Sequence, residues 1–351
     1  MRCGGFRTTY VADDQIFETV YPKIGIAVLG LALAVLPGLL TSYWLDVVNR
    51  IGIAIVGAVG LNILTGFAGQ ISIGHAAFLA VGGYATANLA GREGWPFWLV
   101  LPVAGLVTAL VGMVFGVPSL RLKGLYLAMA TLAAHFIVEF TVQHWDGLTG
   151  GVAGMSVPPP RLGALSLDTD ARLFYVIFAV VVAGVAFATN LFRTRVGRAF
   201  VAIRDRDVSA EVLGVNIFRH KLLAFGVSSF YAGLAGGLLA YQAKIITPEN
   251  FPIGVAIDYL AMIIIGGLGS VLGSVFGAVF MTLLPEVMEA AARLLANSPV
   301  DAALGLKENV SYLREMAIGL VIILFLIFEP DGLAARWRTV KDYFRVWPFA
   351  Y

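Results

Sequence analysis

The chain has 351 residues, of which 59% are hydrophobic and 13% are charged, and its formal net charge is +2. This balance excludes an ordinary soluble domain and predicts a polytopic membrane protein. The single cysteine excludes an intrachain disulfide framework, and the 40 glycines predict closely packed and broken helices.

Apolar segments long enough to cross a bilayer follow a polar leader, residues 1–23. Residues 42–50 are predicted to form a turn between the first two crossings. The predicted crossings are 24–41, 51–67, 71–90, 97–117, 125–145, 173–192, 222–242, two within 254–289, and 314–328. We therefore predict an all-α polytopic integral membrane protein with about ten membrane-crossing segments and Gly-broken helices.

Basic residues indicate how these crossings are oriented. The basic clusters, which all fall on one side of the arrangement, are 2–23, 121–123, 193–221 and 336–345. Short basic loops are retained in the cytoplasm, so this side and both termini are expected to be cytoplasmic. The transmembrane domain is then 24–330, and it is followed by a cytoplasmic tail, 331–351.

The charged segment 193–221 lies between long apolar runs. It cannot sit in hydrocarbon, where one central charge costs about 2.5–3.5 kcal/mol. Residues 197–213 have a helical composition, and Gly214 follows them in the position of a C-cap. A topology anchor would need only Lys and Arg, whereas the mixed acids and bases here favour a short amphipathic helix that docks on a soluble partner. The predicted docking residues are Arg198, Arg204, Asp205, Arg206, Glu211 and Gly214.

Two apolar runs are interrupted by glycine and polar residues. The first interruption contains Gly66, Gly69, Gln70, Ser72 and His75, and the second contains Gly266, Gly269 and Ser270. Irregular backbone at membrane depth is tolerated where it is buried in protein or lines a wet cavity. Paired interruptions indicate a translocation pathway, and the alternative is that the glycines merely allow close helix contact.

The segment 125–145 carries polar residues every four positions, among them His135 and Glu139. A glutamate inside a crossing is a functional candidate, so both residues are assigned to the translocation pathway. The alternative is that they hydrogen-bond to each other purely for packing. The four histidines of the chain are scattered without a metal-ligand spacing, so no metal or cofactor is expected.

Four stretches, taken together and in this order, resemble the LivM-type permeases of branched-chain amino-acid ABC importers. They are LNILTGFAGQISIGHAAFLAVGGYATA (61–87), LTGG (148–151), GRAFVAIRDRDVSAEVLGVN (197–216) and DYLAMIIIGGLGSVLGSVFGA (258–278). The resemblance implies that 197–216 is the coupling helix, which seats in a cleft of the ATPase. Ala210, Glu211 and Gly214 resemble a relaxed EAA…G motif, in which Val212 and Leu213 replace alanines.

The resemblance also implies partners: a second related permease subunit, two ABC ATPase subunits and a soluble substrate-binding protein, in the bacterial inner membrane. The small-molecule substrate would be a branched-chain (neutral) amino acid, and no nucleic acid is involved. The chain has no GxxxxGK[ST] phosphate loop, so ATP hydrolysis is expected on the partner subunits and this chain is expected not to be an enzyme.

Three other functions remain open. Permeases of the same family for urea, short amides or other amino acids share these motifs. A self-contained secondary transporter would need ion-coupling carboxylates at mid-membrane, for which Glu139 is the candidate, and it would leave the charged loop without a role. A membrane enzyme would need converging polar side chains, and the scattered histidines argue against it.

Overall fold

The computed structural model describes residue 30 and residues 33–119, 122, 124–162, 165–295 and 310–346. The predicted leader, most of the first predicted crossing and the basic residues Arg121 and Lys123 lie outside these ranges. The described chain is almost entirely helical, which confirms an all-α polytopic membrane protein.

Twelve labelled α-helices follow one another along the described chain. They are α1 (Ser42–Asn62), α2 (His75–Ala87), α3 (Phe97–Ser119), α4 (Leu125–His144), α5 (Asp146–Thr149), α6 (Asp170–Leu191), α7 (Arg195–Val212), α8 (Ile217–Ala243), α9 (Ile253–Gly266), α10 (Val271–Leu295), α11 (Val310–Phe328) and α12 (Leu333–Val346). π-Helical turns, Ile63–Phe67 and Asn88–Arg92, extend α1 and α2. These π-helical turns lengthen the two helices, which explains why the corresponding hydrophobic runs are long.

Seven helices in the described ranges are long and apolar enough to cross a membrane, or up to eight if a bent pair counts as one span. The ten predicted crossings are therefore not shown. The predicted crossing 71–90 gives an α-helix of 13 residues, which is shorter than the roughly 20 residues of a straight span. The run 254–289 is divided as predicted, because α9 ends at Gly266 and α10 begins at Val271.

The predicted turn at 42–50 is wrong, because these residues form the first half of α1. The polar side chains of Asp46, Asn49 and Arg50 suggested a turn, but these three have partners on another helix or one helical turn away. Asn49 donates to the carbonyl oxygen of Asp170 at 3.1 Å. The Asp46 carboxylate accepts from the Gln242 amide at 2.7 Å and pairs with Arg50 at 2.9 Å.

Helices α1, α2 and α8 form the centre of the bundle, and α3 packs on α8. Their contacts are built on small residues, which let helix backbones approach closely where the apolar surroundings give no other driving force. Where α2 crosses α8, a Cβ added to Gly82 would overlap the backbone of Gly233. The central helices therefore cannot separate or rotate without breaking this contact.

Short strands connect the loops at one end of the bundle. Strand β1 (Met155–Ser156) pairs antiparallel with β4 (Ile245–Ile246), and β2 (Arg161–Leu162) pairs with β3 (Leu165–Ser166). These two-residue pairs are the only strands within the described ranges. The β1–β4 pair ties the loop after α5 to the segment after α8. We call the opposite end, which carries the charged helix, the α7 end.

Candidate functional site

The two Gly-broken stretches meet at the α7 end, and Asn62 joins them. The backbone N–H of Gly269 donates to Asn62 Oδ1 at 2.9 Å. The Asn62 amide nitrogen donates to the carbonyl oxygen of Ser270 at 2.8 Å and to the hydroxyl of Ser274 at 2.7 Å. Asn62 is fully buried, and a buried amide with its donors and acceptor satisfied holds one geometry. We call this group, with Gly66, the glycine junction.

Glycine is required on both sides of this junction. A Cβ at Gly66 would overlap the Asn62 side chain and the backbone nitrogen of Gly269. Gly269 itself has φ +74, a backbone conformation that other residues adopt at a cost. The structure therefore brings Gly66, Gly269 and Ser270 together, as their assignment to one site requires. Gly266 serves a different contact, since its Cβ would overlap the carbonyl oxygen of Gly273 between α9 and α10.

The charged helix reaches the glycine junction through Arg204. Its Nη1 donates to the carbonyl oxygen of Gly66 at 3.0 Å, while Nε and Nη2 donate to Asp205 Oδ1 at 3.1 Å. Gly69, with φ +68, lies against the same side chain, and a Cβ there would be 2.9 Å from Arg204 Cγ. One arginine thus holds the break after α1 to the charged segment. The predicted docking residue Arg204 and the predicted pathway residues Gly66 and Gly69 are neighbours.

Helix α7 confirms the predicted helix with one difference. Thr194 caps its start by accepting from the Gly197 N–H at 3.4 Å. Its backbone is extended at Arg206 (φ −157, ψ 103), so two short helices meet at a kink, and the predicted continuous amphipathic face is interrupted there. Gly214 ends the helix as predicted, with φ +87 and an N–H that donates to the Glu211 carbonyl oxygen at 2.9 Å.

The part of α7 beyond the kink is exposed, including its apolar side chains. Val212 and Leu213 are 84% and 82% exposed, and Glu211 beside them is exposed as well. Ala210 on the opposite face is buried. The tip of α7 therefore presents two adjacent apolar side chains at the surface of the chain. Arg198 lies earlier in α7 and contacts the carbonyl oxygen of Arg193 at 3.4 Å.

A polar cavity of about 530 Å³ opens between α7 and the break after α1. Its lining residues include Gly69, Gln70, Gly124, Leu127, Arg204 and Lys221. The Gln70 amide nitrogen and the Ser72 hydroxyl are buried and have no hydrogen-bond partner among the described residues. Gln70 lines this cavity, so its unsatisfied amide nitrogen is placed to bind water or a polar solute there.

His135 and Glu139 form a second polar cluster, away from the glycine junction. His135 is 1% exposed, Glu139 is 35% exposed, and His135 Nε2 lies 3.7 Å from Glu139 Oε2. Neither ring nitrogen of His135 makes a hydrogen bond to a described residue. A cavity of about 10 Å³ adjoins them, lined by Ala77, Ala80, Val138, Val142, Pro248 and Phe251. It has room for about one water molecule.

His75, the remaining pathway candidate, is a core histidine. Its Nε2 lies 3.0 Å from the Gly57 carbonyl oxygen, and its ring packs edge-on against Tyr259 at 5.3 Å. Within the described ranges, no hydrogen bond or ring contact connects it to the glycine junction or to the His135 cluster. Among the described residues, no group of three His, Cys, Asp or Glu side chains is placed to hold a metal ion.

Sequence reasoning did not assign Asn62 and Ser274 to the site. Asn62 is a lone polar residue in an apolar run, and it precedes Gly66 by about one helical turn. That spacing is the signal that could have found it. Ser274 lies one turn after Ser270 and gives no comparable signal, because its role depends on a helix more than 200 residues away.

Residues 43–327 match the family described as branched-chain amino acid transport system / permease component. The chain belongs to this permease family. The match spans both glycine breaks, α7 and the His135 cluster, and it confirms the resemblance stated from the four sequence stretches. This permease family also accounts for the apolar composition and the seven or eight candidate spans.

Several curated proteins are similar to this member of the permease family. The high-affinity branched-chain amino acid transport system permease protein LivM of Escherichia coli K12 is 29% identical over 345 residues, which are 92% of this chain and 77% of LivM. A probable LivM of Methanocaldococcus jannaschii is 23% identical and covers 67% of each chain. The ribose import permease protein RbsC of Haemophilus influenzae is 25% identical over 81% of this chain and 84% of its own length. No solved structure matches the chain.

Proposed function

We propose that this chain is the membrane-spanning permease subunit of an ABC importer and forms the pathway for branched-chain amino acids across a bacterial inner membrane. ATP hydrolysis takes place on two separate ATPase subunits. A second related permease and a soluble substrate-binding protein complete the system. The family match and the 29% identity to LivM over 92% of the chain support this proposal.

The observation that carries the mechanism is the contact between Arg204 and Gly66. In this proposal, the exposed tip of α7 docks on an ATPase, and movement of α7 reaches the glycine junction through the Arg204 guanidinium. Charge-assisted hydrogen bonds are stronger than neutral ones. Arg204 therefore stays bound to the Gly66 carbonyl oxygen when α7 moves, and the movement of α7 displaces the junction. The junction then acts as the gate at the α7 end.

The proposed orientation places the α7 end in the cytoplasm. The described residues of this end include seven Arg and Lys between Arg193 and Lys221, and α12 adds four more basic residues. Short basic segments are retained in the cytoplasm. Residues 24–330 then form the permease domain, with 193–221 as its coupling loop and 331–351 as a cytoplasmic tail. We propose about ten crossings in total, an even number, because both termini then lie on the cytoplasmic side.

A second candidate substrate class follows from the same family. RbsC, which is similar to this chain, is named as a ribose import permease, so similarity of this kind does not by itself fix the solute. The alternative function is import of urea, a short amide or another amino acid by the same mechanism. A self-contained secondary transporter receives less support, because it gives no role to the exposed tip of α7.

The experiment is uptake of labelled leucine into proteoliposomes that hold the complex purified from the native cells. In the variant Glu211→Lys, we expect loss of both uptake and substrate-stimulated ATP hydrolysis, because the docking surface changes sign. In Arg204→Gln, we expect ATP hydrolysis to continue while uptake falls by about tenfold, since a hydrogen bond to a charged group contributes roughly 1.5–3 kcal/mol.

Arg161→Gln is the matched control, because Arg161 is exposed and lies at the end of the bundle opposite α7. Normal uptake in both test variants would exclude the coupling role of α7. Uptake by the chain alone without ATP would favour the secondary transporter. If another solute stimulates ATP hydrolysis and leucine does not, the chain is still an importer subunit, but its substrate is not leucine.

A further inference from the structure

An apolar groove of about 600 Å³ lies between α10 and α12. It is separate from the glycine junction and from the His135 cluster. Its lining residues are Phe276, Val279, Phe280, Leu283, Leu284, Val287, Leu333, Arg336, Trp337 and Val340. Arg336 is the one charged side chain among these lining residues.

The groove begins at the α7 end and runs along α10 toward the middle of the bundle. At its start the Trp337 ring packs edge-on against Phe276, with ring centroids 5.8 Å apart. From Phe276 to Val287 the helix rises by about 16 Å. This is close to half of the roughly 30 Å hydrocarbon thickness of a bilayer. The groove therefore has the length of one leaflet's acyl region.

Helix α12 has the pattern of a helix at a membrane surface. It turns by 49° from α11 at a break of four residues. Leu333, Trp337 and Val340 share the face that lines the groove. Arg336 borders this face on one side and pairs with Glu329, and Lys341 lies exposed on the other side. Tryptophan with flanking Arg and Lys is typical of helices at the level of lipid headgroups.

The basic residues of α12 have hydrogen-bond donors that can bind an anion. Arg336 uses Nε and Nη2 on Glu329, which leaves the donors of its Nη1 outside that pair. Among the residues that the structure describes, Arg338 and Lys341 are in no ion pair. A basic side chain beside an apolar groove at headgroup level complements the phosphate of an anionic lipid.

The lining favours an acyl chain over an extended peptide in the groove. Nine of its ten lining side chains are apolar. An extended peptide would bring unsatisfied backbone N–H and C=O groups into this lining, whereas an acyl chain has no polar groups.

We propose that this groove binds one acyl chain of an anionic phospholipid, whose phosphate group lies between Arg336 and Lys341. The bound lipid fixes α12 against α10 at the α7 end. This site is independent of the substrate of the permease, because none of its lining residues belongs to the glycine junction or to the His135 cluster.

Native mass spectrometry of the chain, purified in mild detergent with the subunits that accompany it, tests this site. The added probes are phosphatidylglycerol and phosphatidylcholine with identical acyl chains. We expect one retained phosphatidylglycerol per chain and weaker retention of phosphatidylcholine. Leu283→Trp fills the groove and should weaken phosphatidylglycerol binding by at least tenfold.

Lys341→Gln tests the headgroup contact without filling the groove. We expect phosphatidylglycerol binding to weaken by about fivefold, which corresponds to the roughly 1 kcal/mol that one basic residue contributes near an anionic surface. Phosphatidylcholine binding should be unchanged. Leu110→Trp on α3 is the matched control, because Leu110 is an exposed apolar residue outside the groove.

Equal binding of the two lipids by the wild-type chain, or full binding by Leu283→Trp, would overturn the proposal. A lipid retained by the isolated chain but absent from the assembled complex would also overturn it, because a partner subunit would then occupy the groove. Size-exclusion profiles show whether Leu283→Trp is folded, and if it is not, Lys341→Gln alone decides the outcome.

Discussion

The glycine junction and the His135 cluster are both polar groups in an apolar bundle, yet they differ in how their hydrogen bonds are satisfied. Asn62 uses its oxygen and its amide nitrogen on partners at 2.7–2.9 Å. His135 is as deeply buried, but neither of its ring nitrogens is hydrogen-bonded to a described residue. The hydrogen bonds of Asn62 are thus satisfied, whereas His135 has only the Glu139 carboxylate 3.7 Å away and no hydrogen bond within the described part of the chain.

This difference in hydrogen bonding makes the glycine junction a structural connection and the His135 cluster a place that can bind a ligand. A fully satisfied buried network holds one arrangement and stabilises it. An unsatisfied buried group costs about 1–3 kcal/mol, and a cavity beside it lets water or a solute remove that cost. The residues first assigned together to a translocation pathway therefore do not form one site. Gly66, Gly269 and Ser270 belong to the junction, whereas His135 and Glu139 form a separate cluster beside a small cavity.

The largest effect is expected from Gly66→Ala, which adds an atom to the complete cluster. The new Cβ overlaps the Asn62 side chain and the Gly269 backbone, and overpacking costs about 1–3 kcal/mol. We expect leucine uptake to be lost together with part of the thermal stability in detergent. Gly254→Ala, with no atom within 4 Å of the added Cβ, is the control. Unchanged uptake in Gly66→Ala would show that the junction is not a gate.

Asn62→Leu tests whether the hydrogen bonds of the junction, and not its packing alone, connect the two breaks. It leaves the Gly269 N–H and the Ser274 hydroxyl without their partner, at a cost of about 1–3 kcal/mol. Uptake should fall several-fold and the melting temperature should decrease. The control is Asn190→Leu, because Asn190 is exposed near the end of α6. Equal melting temperatures for the two variants would contradict this prediction.

His135→Leu is expected to act in the opposite direction on stability. Removing a buried, unsatisfied imidazole should raise the free energy of unfolding by about 1 kcal/mol, while uptake decreases because the polar guest loses its partner. Thermal unfolding and uptake are measured on the same preparation. His144→Leu changes an exposed histidine of the same helix and serves as control. A destabilised His135→Leu with normal uptake would mean that His135 is a packing residue.

Val212→Ser is expected to have the smallest effect on the chain itself. Val212 is exposed at the tip of α7, so stability should stay within about 0.5 kcal/mol of the wild type. Copurification of the ATPase subunits should nevertheless decrease, because an apolar docking contact is removed. Val152→Ser, exposed at the opposite end, should leave copurification unchanged. Equal ATPase recovery from both variants would place the docking surface elsewhere.

Several features follow from local sequence, and they agree with the structure. The apolar composition predicts a polytopic helical protein, the charged segment predicts α7, and Gly214 predicts its end. The glycines at 266–270 predict the break between α9 and α10. Each of these depends on residues within a few positions of one another, or on composition alone, so the sequence carries the information directly.

The arrangement of the site depends on contacts that sequence distance hides. Arg204 meets Gly66 across 138 positions, and Asn62 meets Ser274 across 212. The polar residues of 42–50 suggested a turn because their partners, among them Asp170 and Gln242, lie on other helices. The packed bundle decides whether a buried polar side chain has its hydrogen bonds satisfied, as Asn62 does, or leaves them unmade among the described residues, as His135 does. Composition and spacing determined that the chain lies in a membrane and where its helices break. Only the tertiary structure decided which broken ends meet, because a hydrogen bond acts over about 3 Å in space, whatever the separation of its partners along the chain.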